Sequence, residues 1–156
     1  LCTPVQTAAQ MQAALMAAQG QVDAIAMAAA VADHRRAGAL DHKLDKAQLA
    51  LAMQSGWEPV PDLLAELVAR RPAGQRILGF AAHSGDVLPQ AQAKFRRKGC
   101  DLLFANPIDQ PGAGFGAATN EGWLLGPGNS SEHCHPASKL QLAHRLLSAL
   151  GDLLEG

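Results

Sequence analysis

The sequence predicts an α/β domain of three layers, with helices on both faces of a mostly parallel sheet. Two observations carry this. Helical and strand patterns alternate along the chain, as a parallel sheet wrapped by helices requires. The strand candidates, Asp23–Val31, Arg76–Ala82 and Asp101–Ala105, are short runs apolar on both faces, the mark of strands covered on either side. At 156 residues the chain fits one domain, 1–156, large enough to bury a core without disulfides.

The elements follow in order. Thr7 predicts an N-cap for a helix over Ala8–Gln19, where Met11, Ala14, Leu15 and Ala18 recur at helical spacing and Gly20 supplies the stop. In Asp23–Val31 the alanines favour helix, whereas shortness and position after a capped helix favour a central parallel strand. Asp33 to Gln48 is polar and aperiodic and reads as a long loop, a class usually tied to function. Pro61 is placed in the first turn of a helix continuing through Val68. After the strand at Arg76–Ala82, a helix over Leu88–Lys98 is closed by Gly99. The strand Asp101–Ala105 leads to a Gly- and Pro-rich loop from Pro107 to Asn120. Trp123–Leu125 reads as a short strand at an edge or in a hairpin. Ser138 caps a last amphipathic helix carrying Leu140, Ala143, Leu147, Leu150 and Leu154. The opening residues look like the end of a strand, so the N-terminal part of the fold is expected upstream of Leu1.

Composition narrows the function. A net charge of −1 supplies no basic field for nucleic acid or an anionic membrane, and Arg96-Arg97-Lys98 lacks interleaved aromatics. The longest apolar run, Ala24 to Ala32, is about half a bilayer span. Three widely spaced cysteines, Cys2, Cys100 and Cys134, read as free thiols in a reducing cytoplasm. No Gly-x-Gly-x-x-Gly turn follows a strand, and there is no P-loop.

Ligands of such folds bind beyond the carboxyl ends of the strands. Those ends carry Asp33 and the loop after it, Phe80-Ala-Ala-His-Ser84, and Ala105-Asn106. Asp33 can hold Mg²⁺ or meet a ribose or amine; it can equally cap the next turn. Lys43 and Lys46 suit phosphate, but surface lysines are common. Lys94 and Lys98 share a helix face, with Arg97 beside it, and either close over a triphosphate or form a solvated face. The helix start at Pro61-Asp62-Leu63 can address a base or a phosphate, or simply be buried. His133-Cys134-His135 offers only adjacent ligands, a poor match to structural zinc.

The order of these pieces is more specific than any one of them. Ala29-Ala-Val-Ala-Asp33, Lys43-Leu-Asp-Lys46, Pro61-Asp-Leu63, Gly79-Phe-Ala-Ala82, Lys94 with Lys98, Ala105-Asn106, Gly114-Phe115 with Asn120, and Ser138-Lys139 together resemble phosphopantothenate–cysteine ligase. That family forms the C-terminal half of the bifunctional bacterial coenzyme A biosynthesis flavoprotein, and the likeness spans nearly the whole chain.

The resemblance implies a Rossmann-like fold and a cytoplasmic homodimer. It implies a CTP- and Mg²⁺-dependent enzyme that activates 4′-phosphopantothenate as an acyl-cytidylate and joins it to L-cysteine. It assigns Lys43 to catalysis. Asp33, Lys43, Pro61, Asp62, Leu63, Phe80, Lys94 and Lys98 would bind the nucleotide, and Asp33 also the metal. Ala29, Ala30 and Asn106 would lie against substrate. A flavin-dependent decarboxylase fused upstream is a further implied partner, as are a Gly-rich turn and an Asn-bearing loop ahead of Leu1.

Four positions depart from the family pattern. Asp45 stands for a basic residue, His83 for Glu, Val60 for Asn or Thr, and Pro107 for an acid. The alternatives to a ligase are a non-catalytic nucleotide-binding or assembly module of the same descent, and a Rossmann-type oxidoreductase.

Overall fold

The computed structural model describes residues 2–38, 43–110 and 116–156. In chain order the elements are α1 (Ala8–Gln19), β1 (Ala24–Met27), β2 (His34–Arg36), α2 (Lys46–Gln54), β3 (Trp57–Pro59), α3 (Leu63–Arg70) and β4 (Arg76–His83). There follow α4 (Val87–Lys98), β5 (Leu102–Pro107), β6 (Thr119–Gly126), a 3₁₀ turn at Pro127–Asn129, β7 (Ser130–Ser138) and α5 (Lys139–Glu155).

The main sheet has five strands in the order β1-β4-β5-β6-β7. The first three are mutually parallel, and β6 and β7 run antiparallel to their neighbours. Alternation along each strand divides the core in two. Ile77, Ala81, Leu103, Ala105 and Leu125 face α1, α3 and α4, where Leu63, Leu64, Leu67 and Ala91 meet them. Leu78, Leu102, Phe104, Leu124 and Cys134 face α5, against Leu142, Leu146 and Leu150. This gives the three-layer, Rossmann-like α/β/α architecture.

Helix boundaries follow local chemistry. Thr7 Oγ1 accepts from Gln10 N at 3.2 Å while Gln10 Oε1 accepts from Thr7 N at 3.1 Å. This capping box starts α1 at the predicted residue. Ser138 and Gln141 repeat the device at α5. Gly99, at φ 68°, closes α4 in the left-handed conformation that lacks a Cβ penalty.

The strands depart further from expectation. The run predicted as a central strand over Asp23–Val31 is paired only over Ala24–Met27, and it ends the strand order. Its alanines offer little side chain to bury, and at Ala28, whose N–H donates to Ala26 O at 3.1 Å, the chain turns off the sheet. The expected loop from Asp33 to Gln48 contains β2, paired antiparallel with β3, and the first residues of α2. Pro61 lies outside its helix, because Asp62 is the N-cap of α3 and accepts from Ala65 N at 3.1 Å.

The loop expected over Pro107–Asn120 is shorter than read, since β5 reaches Pro107 and β6 begins at Thr119. Trp123–Leu125 belongs to an eight-residue interior strand in a hairpin, longer than read and not at the sheet edge. Its hairpin partner β7 was not anticipated. Its sequence is polar and contains Pro136, which suits a strand at the sheet edge. Cys2 to Gln6 form no strand.

Candidate nucleotide cleft

The carboxyl ends of β1, β4 and β5 open onto one cleft of about 420 Å³. Ala29, Ala30 and Asp33 line it from the segment after β1, and Pro61, Asp62 and Leu63 from the start of α3. Phe80 comes from β4, Lys94 and Lys98 from α4, and Asn106 from β5. Lys43 is not part of this lining, being exposed three residues ahead of α2, and neither are Lys46, the other candidate phosphate ligand of that stretch, and Arg97. Gly114 and Phe115 lie outside the described residues.

Each contributor is held by backbone that the local sequence dictates. The turn at Ala28 swings four alanines and Val31 along the cleft wall, where the alanines leave room a larger side chain would fill. Asp33 is fixed through its main chain, its carbonyl accepting from Val60 N at 2.9 Å. Val60, a departure from the family pattern, thus acts here through its amide. Phe80 packs edge-on against Phe104, with ring centroids 6.1 Å apart, so its ring is set by the core beneath.

Asp62 and Lys98 form an ion pair between the start of α3 and the last turn of α4. Burial alone would raise the Asp62 pKa. The bond from Lys98, the Ala65 amide and the charge of Arg97 outweigh it and hold the carboxyl below the usual range. One Asp62 oxygen serves Ala65 and the other Lys98, so this aspartate is first an anchor for the lysine.

Lys94 has no such anchor among the described residues. Burial pushes its ammonium pKa down, and Lys98 and Arg97 add to that. The more distant Asp33 and Asp62 carboxylates oppose them. The cleft thus holds a half-buried cation crowded by two others, an arrangement that a polyanion relieves.

His83, at the end of β4, has its pKa lowered by burial and then by Lys94, with a bond to Gln90 opposing, so it is neutral near pH 7. Its Nε2 is buried without a hydrogen-bond partner among the described residues. Asp45 has a local explanation: it is the N-cap of α2, accepting from Gln48 N at 2.8 Å, so the acid replaces charge in the loop with a helix start.

In β7, Cys134 is fully buried toward α5, while His133 lies on the opposite side of the strand against Trp123, and His135 packs on His133. Strand alternation therefore keeps the three from converging on one ion. No helix among the described residues is long and apolar enough to cross a membrane.

Sequence reasoning missed Met27, Val60 and Leu64 as cleft residues. The rule that sites lie beyond strand carboxyl ends had already marked the stretch that holds Ala82. Leu64 is placed there only by the packing of α3.

Residues 2–153 match the family described as the DNA/pantothenate metabolism flavoprotein C-terminal domain. The coenzyme A biosynthesis bifunctional protein CoaBC of Mycobacterium tuberculosis is 36% identical over 169 residues, covering 97% of this chain and 38% of that protein. CoaBC of Bacillus subtilis is 31% identical over 150 residues, covering 96% and 36%. The chain therefore spans well under half the length of these relatives. Among solved structures, the C-terminal domain of CoaBC superposes with a TM-score of 0.74 at 26% identity, covering 98% of this chain and 67% of that one. A Cab2 variant in complex with phosphopantothenate-cysteine shares the fold, with a TM-score of 0.69 at 14% identity over 99% of this chain and 54% of that one. By sequence over almost its whole length, and by a fold that gathers the expected residues around one cleft, this chain belongs to the DNA/pantothenate metabolism flavoprotein C-terminal domain family.

Proposed function

We propose that this domain carries out the ligation step of coenzyme A biosynthesis, joining 4′-phosphopantothenate to L-cysteine at the expense of CTP. The observation that supports it is the convergence of Asp33, Asp62, Phe80, Lys94, Lys98 and Asn106, distant in sequence, on one cleft of nucleotide size. The CoaBC relatives are named for coenzyme A biosynthesis, and the Cab2 variant was captured with phosphopantothenate-cysteine.

In the proposed reaction a carboxylate oxygen of 4′-phosphopantothenate attacks the α-phosphorus of CTP, and the bond to pyrophosphate breaks. The amine nitrogen of cysteine then attacks the acyl carbon. The acyl C–O bond breaks, CMP departs with its electrons, and the proton lost by nitrogen passes to water. Lys94 and Lys98 offset triphosphate charge, and Lys43 meets charge that develops during activation. Pro61, Asp62 and Leu63 border the base, Phe80 lies beneath the nucleotide, and Ala29, Ala30 and Asn106 border the acyl group.

The donor set fits Mg²⁺ as a partner of the nucleotide. Asp33 is a carboxylate on the same cleft as the lysines, and no group of three or more His, Cys, Asp or Glu among the described residues makes a protein-only cage. Mg²⁺ characteristically takes one or two carboxylates and completes its shell with phosphate and water. When bound it would supply charge neutralisation at the phosphates, with Asp33 holding it.

Calorimetric titration with CTP and ATP, each with Mg²⁺, tests the reading. CTP is expected to bind and ATP to bind more weakly; absence of binding by either removes the nucleotide assignment. Lys43→Gln is expected to leave CTP affinity within about two-fold, since an exposed charge in high dielectric contributes little. It should slow pyrophosphate release in the ligase reaction. CTP binding without pyrophosphate release in the unmodified protein favours the non-catalytic module.

The same reading includes a homodimer. The arm made by α2 and β3 exposes Leu51 by 65%, Met53 by 68% and Trp57 by 52%, an apolar group that solvent does not favour. Leu51→Asp is expected to convert a dimer to a monomer in sedimentation equilibrium. A wild-type monomer, or a variant that stays dimeric, places the contact elsewhere or removes it.

A further inference from the structure

His83 is the last residue of β4, at the end of the sheet that carries the cleft. Its main chain is fixed: the carbonyl accepts from Ile108 N at 3.1 Å, and across the ladder it faces Pro107 of β5. Side chains alternate along β4, so Phe80 and His83 go to opposite faces of the sheet. Phe80 lines the cleft, whereas the imidazole meets α4 and is not part of the lining.

There it meets Gln90 and Lys94, one helical turn apart on α4. The Gln90 amide nitrogen is spent on Ser84 O at 2.8 Å and Asp86 O at 3.0 Å, so what it offers the ring is its carbonyl oxygen. That satisfies one ring N–H. Nε2 is enclosed and has no partner among the described residues. An imidazole so placed is neutral, with one buried nitrogen able to take a proton once the charge beside it is compensated. That charge is Lys94, which bears on His83 and also lines the cleft. From β5 the neighbour is the uncharged Pro107. The acids of the adjoining turns, Asp86 and Asp109, are exposed, and Asp109 accepts from Gly85 N at 2.8 Å.

A polyphosphate seated on Lys94 offsets the positive charge that opposes protonation of His83 and adds negative charge of its own. We infer that His83 is a positioning residue that couples occupancy of the nucleotide cleft to uptake of one proton, acting through Lys94 and not by touching the ligand. This rests on the proposed nucleotide reading. Linkage is reciprocal, so affinity is greater with His83 protonated and falls as pH rises through its titration. Burial and Lys94 hold the free imidazole below the ordinary histidine value of about 6.5, so this fall lies at acid to neutral pH. An acid at position 83, as in the family pattern, would lie beside Lys94 as a permanent counter-charge and take up no proton near neutrality.

The test follows the His83 ring C–H by nuclear magnetic resonance across acid to neutral pH, in the whole chain alone and saturated with CTP and Mg²⁺. His83→Gln identifies the signal by its loss. Saturation should raise the His83 midpoint by about one pH unit, equivalent to about ten-fold in affinity. In calorimetry the ratio of wild-type to His83→Gln affinity for CTP should therefore grow by about ten-fold from alkaline to acid pH. Protonation of the ligand is common to both proteins and cancels in the ratio. His83→Glu should lack this dependence as well. A midpoint that stays or falls while CTP binds, or a ratio that is flat with pH in a folded His83→Gln protein, overturns the coupling and leaves the nucleotide reading intact. Inorganic pyrophosphate is titrated in parallel. If it binds and raises the midpoint while CTP does not bind, the coupling stands and the nucleotide reading falls. Binding of neither removes both.

Discussion

Gly122→Ala is expected to destabilise the protein by about 3 kcal/mol or more, the upper range for overpacking a core. A β-carbon there would lie 2.2 Å from the Ala105 carbonyl oxygen, 3.0 Å from its carbon and 2.9 Å from Phe104 Cζ. The obstacle is backbone of β5, which is bonded to β4 on one side and β6 on the other and has nowhere to retreat. At about 2–4 °C per kcal/mol for a chain of this size, the melting midpoint should fall by roughly 6–12 °C. Gly151→Ala is the control. It lies in α5, and a β-carbon added there would meet nothing within 4 Å, so helix propensity should leave it neutral or stabilised by about 0.5–1 kcal/mol. A wild-type midpoint for Gly122→Ala would mean that β5 and β6 are not so closely apposed.

Lys94→Gln should weaken CTP binding by about 10–100-fold, the range for losing a hydrogen bond to a charged group in a part-buried site. The lysine is half-buried in the cleft and has no anchoring carboxylate among the described residues, whereas Lys98 is already bonded to Asp62. The effect also carries a pH signature. In the free protein, burial, then Lys98 and Arg97, push the Lys94 pKa down, so the charged form prevails only below that lowered value. Bound phosphate favours the charged form and raises the pKa again. CTP affinity should therefore be full at lower pH and fall as pH rises through the lowered Lys94 pKa, before an ordinary lysine near about 10.4 would titrate. In Lys94→Gln that part of the profile should be absent. Titration calorimetry across pH reads both results, and an unaltered profile in the variant would take Lys94 out of the phosphate contact.

Features governed by neighbours in sequence were legible before any fold was known. The capping boxes of Thr7 and Ser138 and the left-handed Gly99 depend on bonds between residues three or four apart, so they mark α1, α5 and the end of α4 directly. The doubly apolar runs at β4 and β5 announce strands covered on both faces, and with them the end of the sheet where the cleft opens. The order of motifs was enough to name the family to which residues 2–153 match.

Tertiary structure alone decided what lies between distant residues. Whether the alanine run continued as a central strand depended on its partners: it pairs with β4 for four residues and then turns into the cleft. The polar strand β7 becomes a strand because β6 offers it a ladder, which its own periodicity does not disclose. The Asp62–Lys98 pair joins positions 36 residues apart, so the acid at the start of α3 also anchors a lysine of α4. Lys43, next after Asp33 in motif order, is not part of the cleft lining. Local sequence sets backbone bonds over one helical turn, but pairing across the sheet depends on which surfaces are buried together.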